Sequence, residues 1–305
     1  MTLTHAFDAF ILDQRLRGNT EKTIRGYEGF ISLFVTWLAS HAIERVAALE
    51  LQHVQKYQIY IGNRNCENKN QKLTKRTVRT YMKHIRIFLT FCYAESYISE
   101  PIHLKMKIPR AERPIIEILT DTEADALLDA CEADVLGRRN RAIISLMLDC
   151  GLRLSEVSGI RESDINFENG YVKVMGKGRK GRIVPIGNSV REALEEYIRI
   201  RPETKYKNIF LSIRETPLTR DGIIQMMKRM KNEIPRLHAH LLRHTFATNF
   251  LVHGLGDVYE LSRILGHSDI KTTEGYLQLA SYYKILRNRT RQTYLDNKKS
   301  PSAQR

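Results

Sequence analysis

A proline-bearing basic segment between Pro101 and Pro114 constrains the fold of this 305-residue chain more than any other feature. It contains the run Lys105-Met106-Lys107-Ile108-Pro109-Arg110. Because proline lacks a backbone N–H group and cannot continue a helix, the run predicts an extended linker of about ten residues. The chain is long enough for a domain with its own core on each side. We predict an N-terminal domain at 1–104, a linker at 105–118, a second domain at 119–296 and a disordered tail at 297–305.

The N-terminal domain is predicted to be helical. Apolar residues recur at helical spacing over four ranges, 2–17, 20–40, 49–62 and 73–97. In the fourth range Thr74 is a candidate N-cap, and an apolar stripe is formed by Val78, Tyr81, Met82, Ile85 and Leu89. A basic stripe on a different face is formed by Arg76, Arg79, Lys83 and Arg86. This stripe either lies against phosphates or is a solvated charged face, and the sequence leaves both interpretations open.

The second domain is predicted to combine helices with a small antiparallel sheet. Thr120 and Glu123 form a capping-box pattern at its start. Strands are predicted at 171–174 and 182–186, with a third that could form at 208–211. Helical patterns follow at 188–201, 219–232, 238–253, 257–265 and 270–295. The predicted fold class is therefore mainly α with a small antiparallel β-sheet, an α-helical N-terminal domain being joined to an α+β domain.

The charge of the chain points to a polyanionic partner. Its formal net charge is +15 at pH 7, from 49 Lys and Arg against 34 Asp and Glu. Such an excess in a folded chain is typical of proteins that bind nucleic acid, although other basic proteins share it.

Cysteine usage and apolar patterning indicate a cytoplasmic protein. The four cysteines, Cys66, Cys92, Cys131 and Cys150, are scattered and form no CxxC pair. The first 13 residues lack the basic start and apolar run of a signal peptide. No apolar stretch approaches the roughly 18 to 20 residues needed to span a bilayer, so no membrane partner is expected.

Two chemistries suggested by local sequence patterns are rejected, because the neighbouring residues do not fit them. Residues 176–181 match GxGxxG, but a strand follows them where a dinucleotide-binding motif requires a helix, so they predict a hairpin turn. His240 and His244 have helical spacing, but Leu241 occupies the position where a zincin needs glutamate. A structural zinc site at these histidines and His238 stays a weaker alternative, and no metal is predicted.

Four short segments, taken together, carry a family resemblance. They are Gly151-Leu152-Arg153-Leu154-Ser155-Glu156, Gly176-Lys177-Gly178, His240-Leu241-Leu242-Arg243-His244, and Leu265-Gly266-His267 followed by Tyr276. In this order and at these separations the chain resembles the tyrosine recombinase, or phage integrase, family. The resemblance covers residues 119–280, and the helical N-terminal domain is similar to that family's SAM-like core-binding domain. No arm-binding domain is expected before the first helix, and the chain therefore resembles the Xer-like, two-domain type.

The resemblance assigns roles residue by residue. It implies six catalytic residues, Arg153, Lys177, His240, Arg243, His267 and the nucleophile Tyr276, with Glu156 as a supporting acidic residue. It also implies DNA contacts by Arg179 and Lys180 of the hairpin, besides the basic stripe of the N-terminal domain. The implied reaction forms a 3′-phosphotyrosyl bond and a free 5′-hydroxyl group.

These residue types suit attack on a phosphodiester. Each arginine can present two parallel donors to the non-bridging oxygens, and the two histidines can add hydrogen bonds. Lys177 suits the role of general acid for the leaving 5′-oxygen. A dense positive site is expected to lower the pKa of Tyr276. Because the tyrosyl link keeps the phosphoester energy, no cofactor, metal or ATP is expected.

Several alternatives stay open at this point. A type IB topoisomerase shares the tyrosine chemistry, and a non-catalytic DNA-binding module would explain the charge alone. For a recombinase, the expected partners are a double-stranded DNA recombination site and a homo-oligomer, a tetramer on DNA, or a related recombinase. Chromosome-dimer resolution and mobile-element integration or excision both fit. The C-terminal helix is expected to dock either on its own chain or on a neighbour.

Overall fold

Helices dominate the computed structural model, which describes residues 1–66, 69–110, 116–176 and 181–289. The chain divides into two compact units, Met1–Pro114 and Ile115–Arg305. The predicted fold class, mainly α with a small antiparallel sheet, is confirmed. The exact domain and linker boundaries stay predictions, and the tail at 297–305 lies outside the described residues.

Threonine caps start the long helices of the first unit. Its elements are α1 (Leu3–Leu16), α2 (Glu21–Ser40), α3 (Leu51–Asn63), β1 (Asn65–Cys66), β2 (Lys69–Lys72), α4 (Lys75–Ala94) and α5 (Ile102–Lys105). The hydroxyl groups of Thr2, Thr20 and Thr74 each accept a hydrogen bond from a backbone amide three residues later. The four long helices agree with the predicted ranges to within a few residues. The β1–β2 pair and α5 were not predicted.

An aromatic core holds the four long helices together. Phe10, Phe34, Tyr57 and Phe88 are fully buried, one from each helix. Phe10 and Phe88 meet edge to face with their ring centroids 5.6 Å apart. The apolar stripe predicted on α4 lies in this core, which leaves the opposite face of α4 for its basic residues.

The second unit contains eight helices among its described residues. They are α6 (Asp121–Asp129), α7 (Val135–Asp149), α8 (Leu154–Val157), α9 (Asn188–Ile200), α10 (Arg220–Arg229), α11 (Ala239–Val252), α12 (Val258–Leu265) and α13 (Lys271–Arg289). Thr120 and Glu123 form the predicted capping box at the start of α6. The buried α7 was not predicted, because eight of its residues are buried on several faces and no clean stripe marks it.

The small sheet has the antiparallel order β3-β4-β5. Its strands are β3 (Ile165–Asn166), β4 (Tyr171–Met175) and β5 (Gly181–Pro185), and Met175 pairs with Gly181 at the turn end. This confirms the predicted strand pair on either side of the glycine-rich turn. Lys177, Arg179 and Lys180 stand between β4 and β5 in the sequence and are outside the described residues.

The predicted third strand at 208–211 is wrong. Asn208 and Leu211 form only isolated bridges, and β3 supplies the third strand. The apolar run reflects burial instead, because Ile209 and Phe210 lie in the core. The backbone of Leu211 bonds to side chains, its N–H group to the Tyr197 hydroxyl and its carbonyl to Arg139.

A separate apolar cluster joins the last three helices. It is lined by Phe246 and Phe250 of α11, Leu261 and Leu265 of α12, and Tyr276, Leu279 and Ala280 of α13. Helix α13 therefore packs on its own chain up to this point. Among the described residues, no helix is both long and apolar enough to cross a membrane.

Candidate active site

A buried carboxylate organises two arginines. Glu156 is 6% exposed, and its two carboxylate oxygens accept hydrogen bonds from both terminal nitrogens of Arg182 at 2.7 and 2.9 Å. Arg153, the N-cap of α8, donates to the same carboxylate through its backbone at 2.8 Å and its guanidinium at 3.0 Å. Burial opposes ionisation of Glu156, but these hydrogen bonds outweigh it and hold the pKa of the carboxyl below its usual range. The carboxylate thus fixes Arg153. One-third of the Arg153 side chain is still exposed.

Backbone carbonyls hold the second arginine. Arg243 of α11 is only 4% exposed, and its guanidinium donates to the carbonyls of Gly151 and, at 2.8 Å, of Leu265. Arg153 donates similarly to the carbonyl of Gly266 at 3.1 Å. Burial, and next the charge of Arg153, lower the pKa of Arg243 to about 10, so it stays a cation at neutral pH. Two fixed positive charges therefore lie at the junction of α8, α11 and α12.

Two glycines allow these carbonyls to approach. Gly151 and Gly266 adopt left-handed backbone conformations, with φ of 62° at each. A Cβ atom at Gly151 would overlap the Phe246 ring, and one at Gly266 would lie 3.0 Å from the Arg182 side chain. Glycine is therefore required at both turns by conformation and by space.

His267 orients Arg243. Its Nε2 lies 3.0 Å from the Arg243 guanidinium, and its Nδ1 lies 2.8 Å from the Thr273 hydroxyl. Because a guanidinium can only donate, Nε2 accepts, and Nδ1 carries the proton. Burial, and then the charges of nearby arginines led by Arg243, lower the pKa of His267 to about 4. His267 is thus a neutral ring held between Arg243 and Thr273.

The Tyr276 hydroxyl meets a second histidine. Tyr276 is 6% exposed, and its Oη lies 2.7 Å from Nδ1 of His244. Burial raises the pKa of Tyr276 above its ordinary value, although Arg243 and Arg153 act in the opposite direction. The two arginines act on this pKa in the expected direction, but burial outweighs them and the net shift is upward.

His240 lies one helical turn before His244 on the exposed side of α11. The two ring centroids are 6.2 Å apart. Partial burial, and then His238, Arg243 and Arg153, lower the pKa of His240. Within the described part of the chain, no three His, Cys, Asp or Glu side chains are grouped so that they could hold a metal ion.

The structure brings together most of the residues singled out in the sequence. Five of them, Arg153, Glu156, Arg243, His267 and Tyr276, meet at α8, α11, α12 and α13, and His240 lies beside them. Lys177 cannot be placed, since it is outside the described residues. Three residues with direct contacts to this group, Arg182, His244 and Thr273, were not predicted as site residues. His244 had a sequence signal, its spacing of four residues from His240, but that spacing suggested zinc instead.

The basic stripe on α4 divides into two pairs. Arg76 and Lys83 are exposed. Arg79 and Arg86 are half-buried and donate to the backbone carbonyls of Pro109 and Met106, at 3.0 and 2.8 Å. The second pair therefore attaches the segment after α5 to α4, and only the first pair faces solvent without such a bond to that segment.

Comparison with known proteins identifies the family. Residues 117–282 match the model of the phage integrase family. The chain is 32% identical over 273 residues to tyrosine recombinase XerD of Staphylococcus saprophyticus, covering 87% of this chain and 90% of that protein. It is 30% identical over 308 residues to tyrosine recombinase XerC of Bacillus pumilus, covering 97% and 95%.

A solved structure shows the same fold. The Tn1549 transposon integrase in complex with a circular intermediate DNA superposes with a TM-score of 0.71 at 20% identity, covering 90% of this chain and 94% of that one. The chain belongs to the phage integrase family of tyrosine recombinases, is of the Xer-like type, and is a site-specific DNA recombinase. This membership favours recombination over topoisomerase-like relaxation and over a purely DNA-binding module.

Proposed function

We propose that Tyr276 is the nucleophile that cuts and rejoins DNA at a double-stranded recombination site. Its Oη attacks the phosphorus, a 3′-phosphotyrosyl bond forms, and the 5′-oxygen leaves as a hydroxyl group. Attack by a 5′-hydroxyl group on this bond releases the tyrosine and restores the backbone. The observation that carries the proposal is the convergence of Tyr276 with Arg153 and Arg243 in one chain.

The two arginines suit the scissile phosphate. A guanidinium has five N–H groups, and Arg243 donates three of them, to Gly151, Leu265 and His267. Two N–H groups are left for the phosphate oxygens. Arg153 is held equally firmly while one-third of its side chain faces solvent. Donors fixed before the reaction stabilise the charge that develops in the transition state, and losing one typically costs about 10²–10³ in rate.

The remaining catalytic assignments follow from position and chemistry. His240, exposed beside the arginines, would donate to a phosphate oxygen. His267 would act through Arg243, because its Nε2 already accepts from that guanidinium. Lys177 is assigned as the general acid for the 5′-oxygen on the family resemblance. No step requires a cofactor, a metal ion or ATP, because the guanidinium groups supply the positive charge and the tyrosyl bond conserves the phosphoester energy.

DNA binding and assembly extend beyond this site. Arg76 and Lys83 of α4 would contact phosphates, as would Arg179 and Lys180 of the hairpin. Recombination joins two DNA sites, so the working form is a homo-oligomer, a tetramer on DNA, or an assembly with a related recombinase. Ile285 and Leu286 are exposed on α13 and offer an apolar contact to a neighbouring copy.

The biological setting follows from the substrate. The protein would act in the cytoplasm, where the chromosome lies and where the free thiols of Cys92, Cys131 and Cys150 stay reduced. Its role would be chromosome-dimer resolution or the integration and excision of a mobile element.

Covalent trapping tests the proposal. Sequencing of DNA recovered covalently on the protein from cells would give the site, and a nicked duplex of that sequence would serve as the substrate. In excess EDTA and without nucleotide, the wild-type protein should form an adduct that maps to Tyr276. Tyr276→Phe should bind the duplex but form none, while the control Tyr282→Phe, six residues along the same helix, should react normally. An adduct on another tyrosine, or one that requires a metal ion, would overturn the proposal.

A further inference from the structure

We propose that His244 is a further catalytic residue, which accepts the phenol proton at Nδ1 as Tyr276 attacks DNA. This inference rests on the proposed role of Tyr276 as the nucleophile and adds the group that activates it.

The contact geometry is that of a base and its acid. Nδ1 of His244 and Oη of Tyr276 are 2.7 Å apart, and the two ring centroids are 5.6 Å apart. With the ring proton on Nε2, Nδ1 accepts and the phenol donates. A general base must lie within about 2.6–3.2 Å of the atom that loses the proton, and His244 satisfies this distance.

The other candidate bases are committed elsewhere. Both carboxylate oxygens of Glu156 bind Arg182. His267 has Arg243 at one ring nitrogen and Thr273 at the other. His240 lies beyond His244, with its ring centroid 6.2 Å from that ring. Within the described residues, His244 is the side chain that the structure places against the Tyr276 hydroxyl.

Tyr276 needs such a base because a phenol, with an ordinary pKa near 10, is protonated at neutral pH. The pKa of Tyr276 is raised above its ordinary value by burial. The pKa of His244 is lowered to about 4 by burial, then by His240, His238 and Arg243, so the ring is neutral at pH 7. A phosphate bound at Arg243 would offset part of the positive charge of Arg243, and the pKa of His244 would rise. Substrate binding would therefore make His244 a stronger base at the moment of attack.

The proton balance closes over one cycle. As the Oη–P bond forms, the phenol proton moves to Nδ1, and the leaving 5′-oxygen takes a proton from a separate acid. During rejoining, the attacking 5′-hydroxyl group returns its proton to the separate acid, and the phenolate of Tyr276 leaves the phosphorus and takes its proton back from His244. The histidine is neutral again at the end.

A cleavage assay with a more acidic phenol separates proton transfer from simple positioning. In His244→Asn, Oδ1 can still accept a hydrogen bond but cannot take up a proton. We expect its single-turnover cleavage rate to fall by about 10² or more, the usual range for a general base. Replacing Tyr276 by a fluorinated tyrosine, whose phenol ionises more readily, should narrow the gap between wild type and His244→Asn by at least tenfold. For Arg153→Ala, the same fluorinated tyrosine should leave the difference in cleavage rate from wild type as large as before.

Controls distinguish a failure of this inference from a folding defect and from a failure of the proposed function. His253→Asn, an exposed histidine at the end of the same helix, should cleave like wild type. Thermal melting and DNA binding of His244→Asn should match wild type. His244→Gln, which also cannot take up the proton, is a second variant for the same cleavage assay. Cleavage by His244→Asn within twofold of wild type, or a gap that fluorination leaves unchanged, would overturn the base role. Absence of a Tyr276 adduct in the wild-type protein would instead overturn the proposed function.

Discussion

Arg182 binds both carboxylate oxygens of Glu156, and this pair lies almost fully inside the second unit. The side chains are 12% and 3% exposed. Arg182 also donates to the carbonyl of Ile264 at 2.6 Å, so one guanidinium joins β5, α8 and the end of α12.

Glu156→Gln should lower the free energy of unfolding by about 3 kcal/mol, because it leaves a buried guanidinium without its counter-charge. Urea denaturation would measure the change. Glu195→Gln is the matched control, since its pair with Arg191 is exposed, and we expect a change of at most about 1 kcal/mol. Equal effects in the two variants would show that the buried pair has no special role.

The effect of Glu156→Gln should also depend on pH. The folded-state pKa of Glu156 is depressed, so its stabilising contribution is present above the unfolded value of about 4.3. It is lost as pH falls through the folded value. The stability difference between wild type and variant should therefore be constant near neutral pH and shrink in acid. A difference that grew in acid would contradict the assigned direction of the shift.

Gly151→Ala should destabilise the second unit by about 2–3 kcal/mol, from the left-handed backbone and the overlap with Phe246. It should also slow cleavage, because it displaces the Gly151 carbonyl group that accepts a hydrogen bond from Arg243. Gly254→Ala is the control, with a similar φ of 66° but no atom within 4 Å of the added Cβ. It should cost about 1 kcal/mol in urea denaturation and leave cleavage intact. Comparable losses in both variants would mean that packing at Gly151 is unimportant.

The two pairs on α4 should differ in the salt dependence of DNA binding. Neutralising Arg76 and Lys83 together should reduce the slope of log affinity against log salt by about 1.8, or about 0.9 for each phosphate contact. Neutralising Arg79 and Arg86 should change the slope less, because they are bonded to the backbone at Pro109 and Met106. An unchanged slope for the first pair would identify it as a solvated face.

Lys177 should act as the general acid. Lys177→Ala would be slow under either an acid role or a purely electrostatic one, so the substrate must separate them. A thiolate leaves without a proton, so a substrate with sulfur at the 5′-bridging position should restore cleavage to Lys177→Ala. It should not restore Arg153→Ala or Arg243→Ala. Failure to rescue Lys177→Ala would assign the proton to another group.

The sequence was most informative where local rules apply. Helical periodicity located the long helices of the first unit, with Thr74 as the predicted cap of the fourth, and the strands on either side of residues 176–181 followed from alternation. It failed at 208–211, where side chains rather than a neighbouring strand satisfy Leu211, and at α7, which is buried on several sides.

The active-site residues that were missed depend on tertiary contacts. Arg182 looks like any basic residue on a strand, and only the fold brings it to Glu156, 26 residues away in the chain. His244 stands 32 residues from Tyr276, and nothing in that separation predicts their contact. The family motifs supplied what periodicity could not, because they record which residues meet in the folded state.

Two of the three carbonyl groups that hold Arg153 and Arg243 are contributed late in the chain. Arg153 bonds to Gly266, 113 residues further on, and Arg243 bonds to Leu265, 22 residues further on. A nascent polypeptide emerging from the ribosome therefore carries the basic helix α4 long before both active-site arginines can be fixed. Products of interrupted translation that end before Leu265 would retain α4, while Arg153 and Arg243 would lack two of their three backbone acceptors.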